Sequence, residues 1–362
     1  MKKNYVTLEE VCVKGSSNIA QKDLENNEGR YPIYGASGFI KNVDFYAQDK
    51  SYIAVVKDGA GIGRTMMLPA YSSVIGTMQY LLPKDNIDIG YLYYAVTAMN
   101  LAKYYTGATI PHIYFKDYRK EKMPVVDKIE QKKIVEVLSK IDALVICHKR
   151  QLDDFEVLVK SRFIEMFGDP VENTKNWAII RLSELGELNR GVSKHRPRND
   201  KKLLGGKYPL IQTGDIAASD LYIKEYKATY SEEGLKQSKM WPSGILCITI
   251  AANIAKTAIL DFSACFPDSV VGFNSYERVT NIYMHFWFTF IQKILEEQAP
   301  ESAQKNINLK ILSELSVMVP PIELQNKFAD FVEQVNKSKL EVQKSLEELE
   351  TLKKSLMQQY FG

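Results

Sequence analysis

The nonapeptide KSRFIEMFG at residues 160–168 returns in diverged form at residues 354–362, where the sequence reads KSLMQQYFG. Each copy ends in glycine, and Gly168 and Gly362 lie 194 residues apart. The same offset joins three further pairs, namely Gln131 with Gln325, Leu152 with Leu346, and Leu158 with Leu352. A repeat on this scale decides the fold, because it predicts two diverged copies in tandem.

The match continues upstream of the first nonapeptide at shifted offsets. We match Met123 and Pro124 with Val319 and Pro320 at an offset of 196, residues 73–76 with residues 269–272 also at 196, Tyr31 and Pro32 with Tyr208 and Pro209 at 177, and Leu8 with Leu182 at 174. Each copy therefore has a mixed N-terminal region followed by a helical C-terminal region.

Two long stretches carry apolar residues at alternating spacings of four and three, which is the pattern of a heptad seam. The first seam is Ile134, Leu138, Ile141, Val145, His148, Leu152, Phe155, Val159, Arg162 and Met166, and the second is Phe328, Val332, Val335, Lys339, Val342, Leu346, Leu349, Lys353, Leu356 and Tyr360. Prolines precede both stretches and glycines close them. We therefore predict helical spacers at residues 127–168 and 322–362.

Helices of this length cannot be buried in a small domain, since about 38 residues extend over roughly 57 Å. Two such helices in one chain can cover their apolar stripes by packing on each other. The globular region between them brings the chain back, which predicts an antiparallel coiled coil, a rod with one globular domain near each end, and a pseudo-two-fold relation between the copies. The predicted helix-pair interface consists of Leu138, Ile141, Val145, Leu152, Phe155, Val332, Val335, Val342, Leu346 and Leu349.

Polar residues interrupt both seams at His148, Arg162, Lys339 and Lys353. We interpret them as devices that set the register of the helix pair rather than as ligands. Heptads alone identify no function, because many proteins have them. Their weight here comes from the same register occurring at the same place in both copies.

The regions outside the helices, residues 1–126 and 169–321, contain short β-rich runs such as residues 52–56 and 245–250. Each region also has a helical stretch, at residues 89–101 and 282–298. The predicted fold class is therefore α/β (mixed α+β), with two globular domains at 1–126 and 169–321 and two helical spacers at 127–168 and 322–362.

Two loops carry side chains suited to nucleic acid. Residues 57–65 form a glycine-rich turn after a strand, and Gly61 with Lys57, Arg64 and Thr65 would let the backbone approach a phosphate closely. Residues 251–257 lie at the matching place of the second copy and contribute Asn253 and Lys256. The alternative is a pair of tight loops with solvent-facing charges.

A dense basic stretch occupies residues 190–207 of the second copy. Its members are Arg190, Lys194, His195, Arg196, Arg198, Lys201, Lys202 and Lys207. We interpret it as a loop that follows DNA phosphates, with Gln212, Thr213 and Asn253 as candidates for contacts to base edges. The alternative is a solvated surface loop.

The composition is ordinary for a folded protein, with 45% hydrophobic and 25% charged residues and a formal net charge of +3. Such a net charge neither demands nor excludes nucleic acid. The four cysteines form no C-x-x-C pair and have no histidine at metal-ligand spacing, so we predict reduced thiols and no metal site. We expect neither a signal peptide nor a membrane span, and therefore a cytoplasmic protein.

The order and duplication of these features resemble the specificity subunit of type I restriction–modification systems. In that family two variable α/β regions are each followed by a long helix with a proline-bearing start, as at residues 123–131 and 319–325. Residues 106–115 are similar to a segment common at the end of such recognition domains, and residues 57–65 look like the family's glycine-bearing loop after a strand. The resemblance covers essentially the whole chain.

The resemblance implies a bipartite reader of double-stranded DNA. Each globular region would be a target recognition domain for one half of a split, asymmetric site, and the helix pair would set the spacer, since half-sites roughly 34 Å apart lie on one face of the duplex. It also implies that the helices dock two modification methyltransferase subunits and that restriction and translocase subunits join them. No catalytic residue is then expected in this chain, and S-adenosylmethionine, ATP and Mg would belong to the partners.

Two other functions stay open at this stage. A DNA methyltransferase would need a cofactor loop, but the glycine-rich turn at residues 58–63 is followed by residues 64–69, where no helix start is evident. The adenine-methylation element Asn/Asp-Pro-Pro-Tyr/Phe is also missing from the sequence. A coiled-coil interaction or scaffold protein without DNA binding would account for the helices. Binding of S-adenosylmethionine by the isolated chain would favour the methyltransferase, and neighbouring methyltransferase and translocase genes would favour the specificity subunit.

Overall fold

The structure is a computed structural model and describes residues 4–107, 111–251, 253–298 and 307–362. It divides into two compact units, each of which combines one globular region with parts of both long helices. The first unit is Met1–Arg150 with Val342–Gly362, and the second is Gln151–Glu341. Both long helices cross this division, so the four-part domain scheme drawn from the sequence stays a prediction.

Ten α-helices occur in the described parts of the chain. They are α1 (Leu8–Val11), α2 (Ile89–Ala98), α3 (Phe115–Tyr118), α4 (Lys128–Phe167), α5 (Leu182–Leu185), α6 (Thr213–Ala218), α7 (Glu232–Lys236), α8 (Asn281–Gln298), α9 (Leu309–Ser313) and α10 (Ile322–Phe361). Among these helices, none combines the length and the apolar character that crossing a membrane requires. The long helices α4 and α10 begin and end within one residue of the helical spacers predicted from the heptads.

The strands are short and alternate with loops. They are β1 (Asn4–Thr7), β2 (Cys12–Ser16), β3 (Tyr31–Gly35), β4 (Gly38–Val43), β5 (Tyr52–Val56), β6 (Thr65–Leu68), β7 (Ser73–Val74), β8 (Met78–Pro83), β9 (Lys122–Val125), β10 (Ala178–Arg181), β11 (Gly186–Arg190), β12 (Leu204–Leu210), β13 (Tyr222–Ile223), β14 (Ala228–Tyr230), β15 (Met240–Trp241), β16 (Leu246–Thr249), β17 (Thr257–Leu260), β18 (Ala264–Cys265), β19 (Val270–Ser275) and β20 (Ser316–Val319).

The two units repeat one sheet topology. The first unit has an antiparallel sheet in the order β2-β8-β5-β6, a second sheet β4-β3-β7 and the pair β1-β9. The second unit has β11-β19-β16-β17, extended by β13, then β14-β12-β18, extended by β15, and the pair β10-β20. Every residue of β5 and of β16 is buried, as is usual for a strand covered on both faces. The predicted mixed α/β fold in two copies is confirmed.

A buried glutamine joins the start of each long helix to its globular region. Gln131 Oε1 accepts a hydrogen bond from the Asp88 N–H at 2.7 Å, and its Nε2 donates to the Val126 carbonyl at 2.8 Å. Gln325 Oε1 accepts from the Thr280 N–H at 2.9 Å, and its Nε2 donates to the Pro320 carbonyl at 2.9 Å. These matched contacts satisfy both ends of each buried amide and show that Gln131 and Gln325 are true counterparts.

A tyrosine contact and the pairing of the strands show that two of the upstream matches need correction. Tyr91 donates to the carbonyl of Pro124 at 2.9 Å, and Tyr283 donates to that of Met318 at 2.7 Å. Pro124 therefore corresponds to Met318, at the offset of 194, and the expected match with Pro320 is wrong. The match of residues 73–76 with 269–272 is also wrong, because β7 pairs with β3, whereas Val270 begins β19, which occupies the place of β8.

The long helices pack antiparallel within the first unit. Asp142 of α4 contacts Lys353 of α10, and His148 Nε2 lies 3.1 Å from the Ser345 hydroxyl. The residue numbers therefore increase along α4 while those of the contacting residues decrease along α10. Apolar residues of both helices join the core of the unit, and the ring of Phe361 lies 5.0 Å from that of Tyr91. Two of the four seam residues interpreted as register devices, His148 and Lys353, thus meet polar partners on the facing helix.

The helices are also antiparallel within the second unit. Phe163 of α4 contacts Phe328 of α10 with ring centroids 5.5 Å apart, and Glu156 lies 3.5 Å from Lys339. Lys339 also donates to Asp220 at 2.7 Å, and the Arg162 guanidinium lies 5.7 Å from the Phe331 ring. These contacts give Arg162 and Lys339 partners without any ligand.

The ten residues predicted to form the helix-pair interface are all buried or half-buried. Leu138, Ile141, Val332 and Val335 are buried, whereas Val145, Leu152, Phe155, Val342, Leu346 and Leu349 are half-buried. Their exposure is compatible with the predicted role. Their individual contributions to the helix pair stay a prediction.

Candidate nucleic-acid interface

The candidate interface consists of one corner in each unit, built on equivalent backbone. The Lys57 N–H donates to the Thr77 carbonyl at 3.0 Å, and the Lys57 carbonyl accepts from the Ile113 N–H at 2.9 Å. In the second unit, the Ile250 N–H donates to Ser269 at 3.1 Å, and the Ile250 carbonyl accepts from Ile307 at 3.0 Å. Lys57 and Ile250 are therefore counterparts, and Asp58 and Ala251 are the next pair.

We call residues 57–65 with residues 111–114 the first corner, and residues 250, 251, 307 and 308 with the cleft beside them the second corner. In each, a segment that follows a central strand meets a segment that precedes a short helix. Residues 108–110 and 252 of the stretches singled out in the sequence lie outside the described residues.

The glycines of the first corner are required by its backbone. Gly59, Gly61 and Gly63 have φ values of 83°, 82° and 78°, in the left-handed region that favours glycine. A Cβ on Gly63 would lie 2.5 Å from the backbone nitrogen of Ala102. The turn thus packs against the segment that follows α2. The predicted glycine-rich turn is a tight, packed loop.

The four predicted residues of the first corner lie in this one loop. Lys57 is half-buried with its Nζ 3.7 Å from Asp58, and Arg64 is exposed and donates to the Ala36 carbonyl at 2.9 Å. The Arg64 guanidinium packs over Gly61, and Thr65 begins β6. Both cations are therefore held in place by contacts within the protein while Arg64 keeps an exposed face.

The second corner borders a cleft of about 730 Å³. Among its lining residues are Arg190, Arg198, Gln212, Thr213 and Asn308. Three of these, Arg198, Gln212 and Thr213, are predicted site residues. Guanidinium, amide and hydroxyl groups around one cleft suit hydrogen bonding to phosphates and to base edges.

Carboxylates partly neutralise the basic stretch beside the cleft. Asp268 contacts both Arg196, at 3.3 Å, and Arg198. Nε2 of His195 lies 3.2 Å from the Asp200 carboxylate. The pKa of Asp200 is held below its ordinary value, and the hydrogen bond from the Lys202 N–H is the largest cause. Among the described residues, no carboxylate lies within 4.0 Å of the exposed ammonium groups of Lys194, Lys201 and Lys202 or of the exposed Arg190 guanidinium. These four residues therefore carry the charge of the stretch that no ion pair compensates.

The remaining two predicted residues lie apart from the cleft. Asn253 is exposed in the turn after β16, and Lys256 lines a separate cavity of about 260 Å³ in the same unit. That cavity is also lined by Thr257, His285 and Lys339. The structure thus does not bring Lys256 together with Arg198 and Gln212.

Sequence reasoning missed four residues of the two corners, namely Asp58, His112, Asp268 and Asn308. Asn308 caps α9, since its Oδ1 accepts from the Ile311 N–H at 2.9 Å, and a capping asparagine before an apolar run is a signal that could have been recognised. Nδ1 of His112 contacts Oδ1 of Asp58 across the first corner. That contact and the pairing of Asp268 with two arginines have no local signature.

Acid should destabilise the second unit through His285. Burial is the main cause that lowers the pKa of this imidazole to about 4. Thr257 and Asp220 oppose it with smaller effects, and Lys256 adds the smallest, lowering one. The unfolded chain therefore binds more protons than the folded one between about pH 4 and 6.5, so stability is complete above this window and falls with pH through it. We expect wild type to lose about 2–3 kcal/mol more than His285→Gln between pH 7 and 4.5.

This loss is measured by urea unfolding monitored with tryptophan fluorescence. All three tryptophans, Trp177, Trp241 and Trp287, belong to the second unit, so the signal reports that unit. Equal pH dependence of the two proteins would contradict the assignment to His285.

The profile of the family described as type I restriction modification DNA specificity domain matches residues 2–156 and 174–351. The chain belongs to this family. Each match contains one of the two corners, so the specificity domain occurs once per copy of the repeat. The resemblance recognised in the sequence is confirmed.

Two relatives come from Methanocaldococcus jannaschii. The chain is 23% identical over 252 residues to the MjaX specificity subunit of a type I restriction enzyme. This match covers 65% of this chain and 57% of that relative. It is 20% identical over 375 residues to the MjaIX specificity subunit, which covers 94% and 84%. The chain thus spans little more than half of the first relative and most of the second.

The fold is also that of a solved specificity subunit. The S subunit of a type I restriction–modification system from M. genitalium has a TM-score of 0.69 at 16% identity, over 100% of this chain and 96% of that one. Identity this low shows the fold alone. Membership of the specificity family, whose role is DNA specificity and not catalysis, confirms the prediction that the chain is not itself an enzyme.

Proposed function

We propose that this chain is the DNA-reading subunit of a type I restriction–modification complex and that its two corners read the two halves of a split, asymmetric site. One observation carries the proposal: a single backbone frame is built twice and presents different side chains each time. Lys57 and Asp58 of the first corner are replaced by Ile250 and Ala251 in the second. Equivalent frames with different polar groups suit one docking geometry and two different half-sites.

The second corner combines groups for both components of DNA binding. The uncompensated Lys194, Lys201 and Lys202 suit phosphates, which position a protein without reading sequence. Gln212 and Asn308 at the cleft suit base edges, since an amide can pair bidentately with adenine in the major groove. Arg198 reaches the same cleft while it pairs with Asp268.

The helices are proposed to dock two modification methyltransferase subunits, which restriction and translocase subunits join. Apolar side chains exposed on α4 support this, at Leu144 and Ile146 in the first unit and at Val157 and Leu158 in the second. S-adenosylmethionine, ATP and Mg would then be bound by these partners and not by this chain. A DNA substrate also fits the predicted cytoplasmic location.

The proposal is tested by sequencing methylated bases in cells that express the chain with its cognate methyltransferase. A split motif with methylated adenine is expected, and it should vanish when the chain is left out. Gln212→Ala combined with Arg190→Ala should relax one half of the motif by roughly 10- to 100-fold in base discrimination and leave the other half unchanged.

Replacement of residues 1–126 by the equivalent region of a relative provides the matched control, because it should change only the half that Gln212→Ala leaves intact. Methylation that is the same with and without the chain, with both proteins expressed, would overturn the proposal and favour the scaffold function.

A further inference from the structure

A buried carboxylate and a histidine face each other at the centre of the first corner. Oδ1 of Asp58 is buried, and Nδ1 of His112 contacts it. Within the described residues this oxygen has no hydrogen-bond partner of full geometry, and Nδ1 of His112 is the nitrogen that contacts it. Because a buried carboxylate oxygen without a donor is costly, this contact favours the tautomer that carries its hydrogen on His112 Nδ1. Nε2 is then the ring nitrogen left for a ligand.

The backbone around His112 is fixed from both sides. The Gly59 N–H donates to the Pro111 carbonyl at 3.0 Å, and the Ile113 N–H donates to Lys57 at 2.9 Å. His112 and Thr106 exchange two backbone hydrogen bonds, at 2.8 and 2.9 Å. The backbone of His112 is therefore paired with Thr106, and the residues on either side of it are bonded to the loop after β5.

The side chain of His112 nevertheless remains accessible, with 38% of its surface exposed against 20% for Asp58. Its ring packs edge-on against Tyr114, with centroids 4.9 Å apart, and Lys116 Nζ lies 5.2 Å from the centre of the Tyr114 ring. An imidazole that is oriented by a carboxylate and limited by an aromatic ring is preorganised to offer one acceptor nitrogen to a hydrogen-bond donor of a ligand. The cation beside it suits a ligand that also carries phosphates.

We propose that His112 is a specificity-determining residue of the first corner, and that its Nε2 accepts a hydrogen bond from the exocyclic amino group of a base in the major groove. Such a group is the N6 amine of adenine or the N4 amine of cytosine. Asp58 is a positioning residue that sets the orientation of the ring. This inference rests on the proposed function, since it names the group that reads one position of one half-site.

The same reading device cannot operate in the second copy. Ala251 occupies the position of Asp58, so the orienting carboxylate is missing there. Ala251 lines the cleft instead, next to Asn308, the counterpart of Tyr114 at the start of the short helix. The proposed effect is therefore confined to the half-site that the first corner reads.

The test uses the full chain with its methyltransferase and compares wild type, His112→Ala and Asp58→Asn by sequencing of methylated bases. His112→Ala should lose roughly 10- to 100-fold discrimination at one base pair in one half of the motif. Asp58→Asn should relax the same position by a smaller factor. Gly59→Ala is the matched control, because it strains the supporting loop at a φ of 83° and retains the side chains of Asp58 and His112.

A second measurement identifies the group that is read. Binding is compared between the motif duplex and a duplex in which the base at the relaxed position lacks its amino group. Wild type should bind the modified duplex about 10-fold or more less tightly, whereas His112→Ala should bind both equally.

The outcomes separate this inference from the proposed function. A uniform fall in methylation with unchanged base preference in His112→Ala, matching that of Gly59→Ala, would show that the pair only holds the loop. Equal sensitivity of wild type and His112→Ala to the missing amino group would also overturn it. A motif that does not depend on the chain at all would instead overturn the proposed function.

Discussion

Phe163→Ala is expected to lower the free energy of unfolding of the second unit by about 3–5 kcal/mol. The side chain is 0% exposed, and its ring lies 4.8 Å from Phe167, 5.5 Å from Tyr283 and 5.0 Å from Phe290. Phe163 is one of the residues at which α4 meets both α8 and α10, so its removal leaves a cavity among rings that cannot all move inward.

Urea unfolding followed by tryptophan fluorescence measures this change, because all three tryptophans belong to the second unit. Ile164→Ala is the matched control, since it changes the neighbouring residue on the same helix, whose side chain is 37% exposed. We expect the control to cost less than about 1 kcal/mol. A loss for Phe163→Ala no greater than that of Ile164→Ala would contradict the assigned core.

Removal of three lysines should weaken DNA binding strongly. Lys194, Lys201 and Lys202 are exposed beside the cleft, and none has a carboxylate within 4.0 Å among the described residues. If each ammonium contributes about 1 kcal/mol to a phosphate contact in water, the triple alanine variant should bind roughly 100-fold more weakly near 0.1 M salt. The dependence of log K on log salt should become shallower by about 3.

The measurement is a salt titration of binding to the motif duplex, with the full chain in complex with its methyltransferase. A triple variant at Lys337, Lys344 and Lys354, which are exposed on α10, removes the same charge elsewhere and serves as the control. Its salt dependence should change by less than 1. Equal losses in the two variants would mean that DNA senses the net charge of the chain and not this loop.

The pairing of Arg196 and Arg198 with Asp268 explains why the lysines are expected to dominate. Two guanidiniums that share one carboxylate carry less net charge toward a phosphate than three free ammonium groups. Counting the basic residues of 190–207 from the sequence cannot reveal this, because Asp268 follows about 70 residues later and reaches them only in the folded sheet.

The sequence by itself determined the duplication, the two long helices and the family. Heptad spacing is a local property, so prolines, glycines and apolar periodicity predicted α4 and α10 to within a residue of their observed ends. The buried strand β5 and the helices α2 and α8 were predicted for the same reason.

Only the tertiary structure decided which polar side chains meet. Asp58 and His112 are far apart in sequence and are joined by the hydrogen bonds between residues 57–59 and 111–113. The cleft likewise brings together Arg190, Gln212 and Asn308 from three separate parts of the chain. It leaves out Lys256, although Lys256 lies near several of the cleft-lining residues in the sequence. Strand pairing is non-local, and a shift of one or two residues in register changes every neighbour, so these groupings follow from the register of the sheets and not from spacing along the chain.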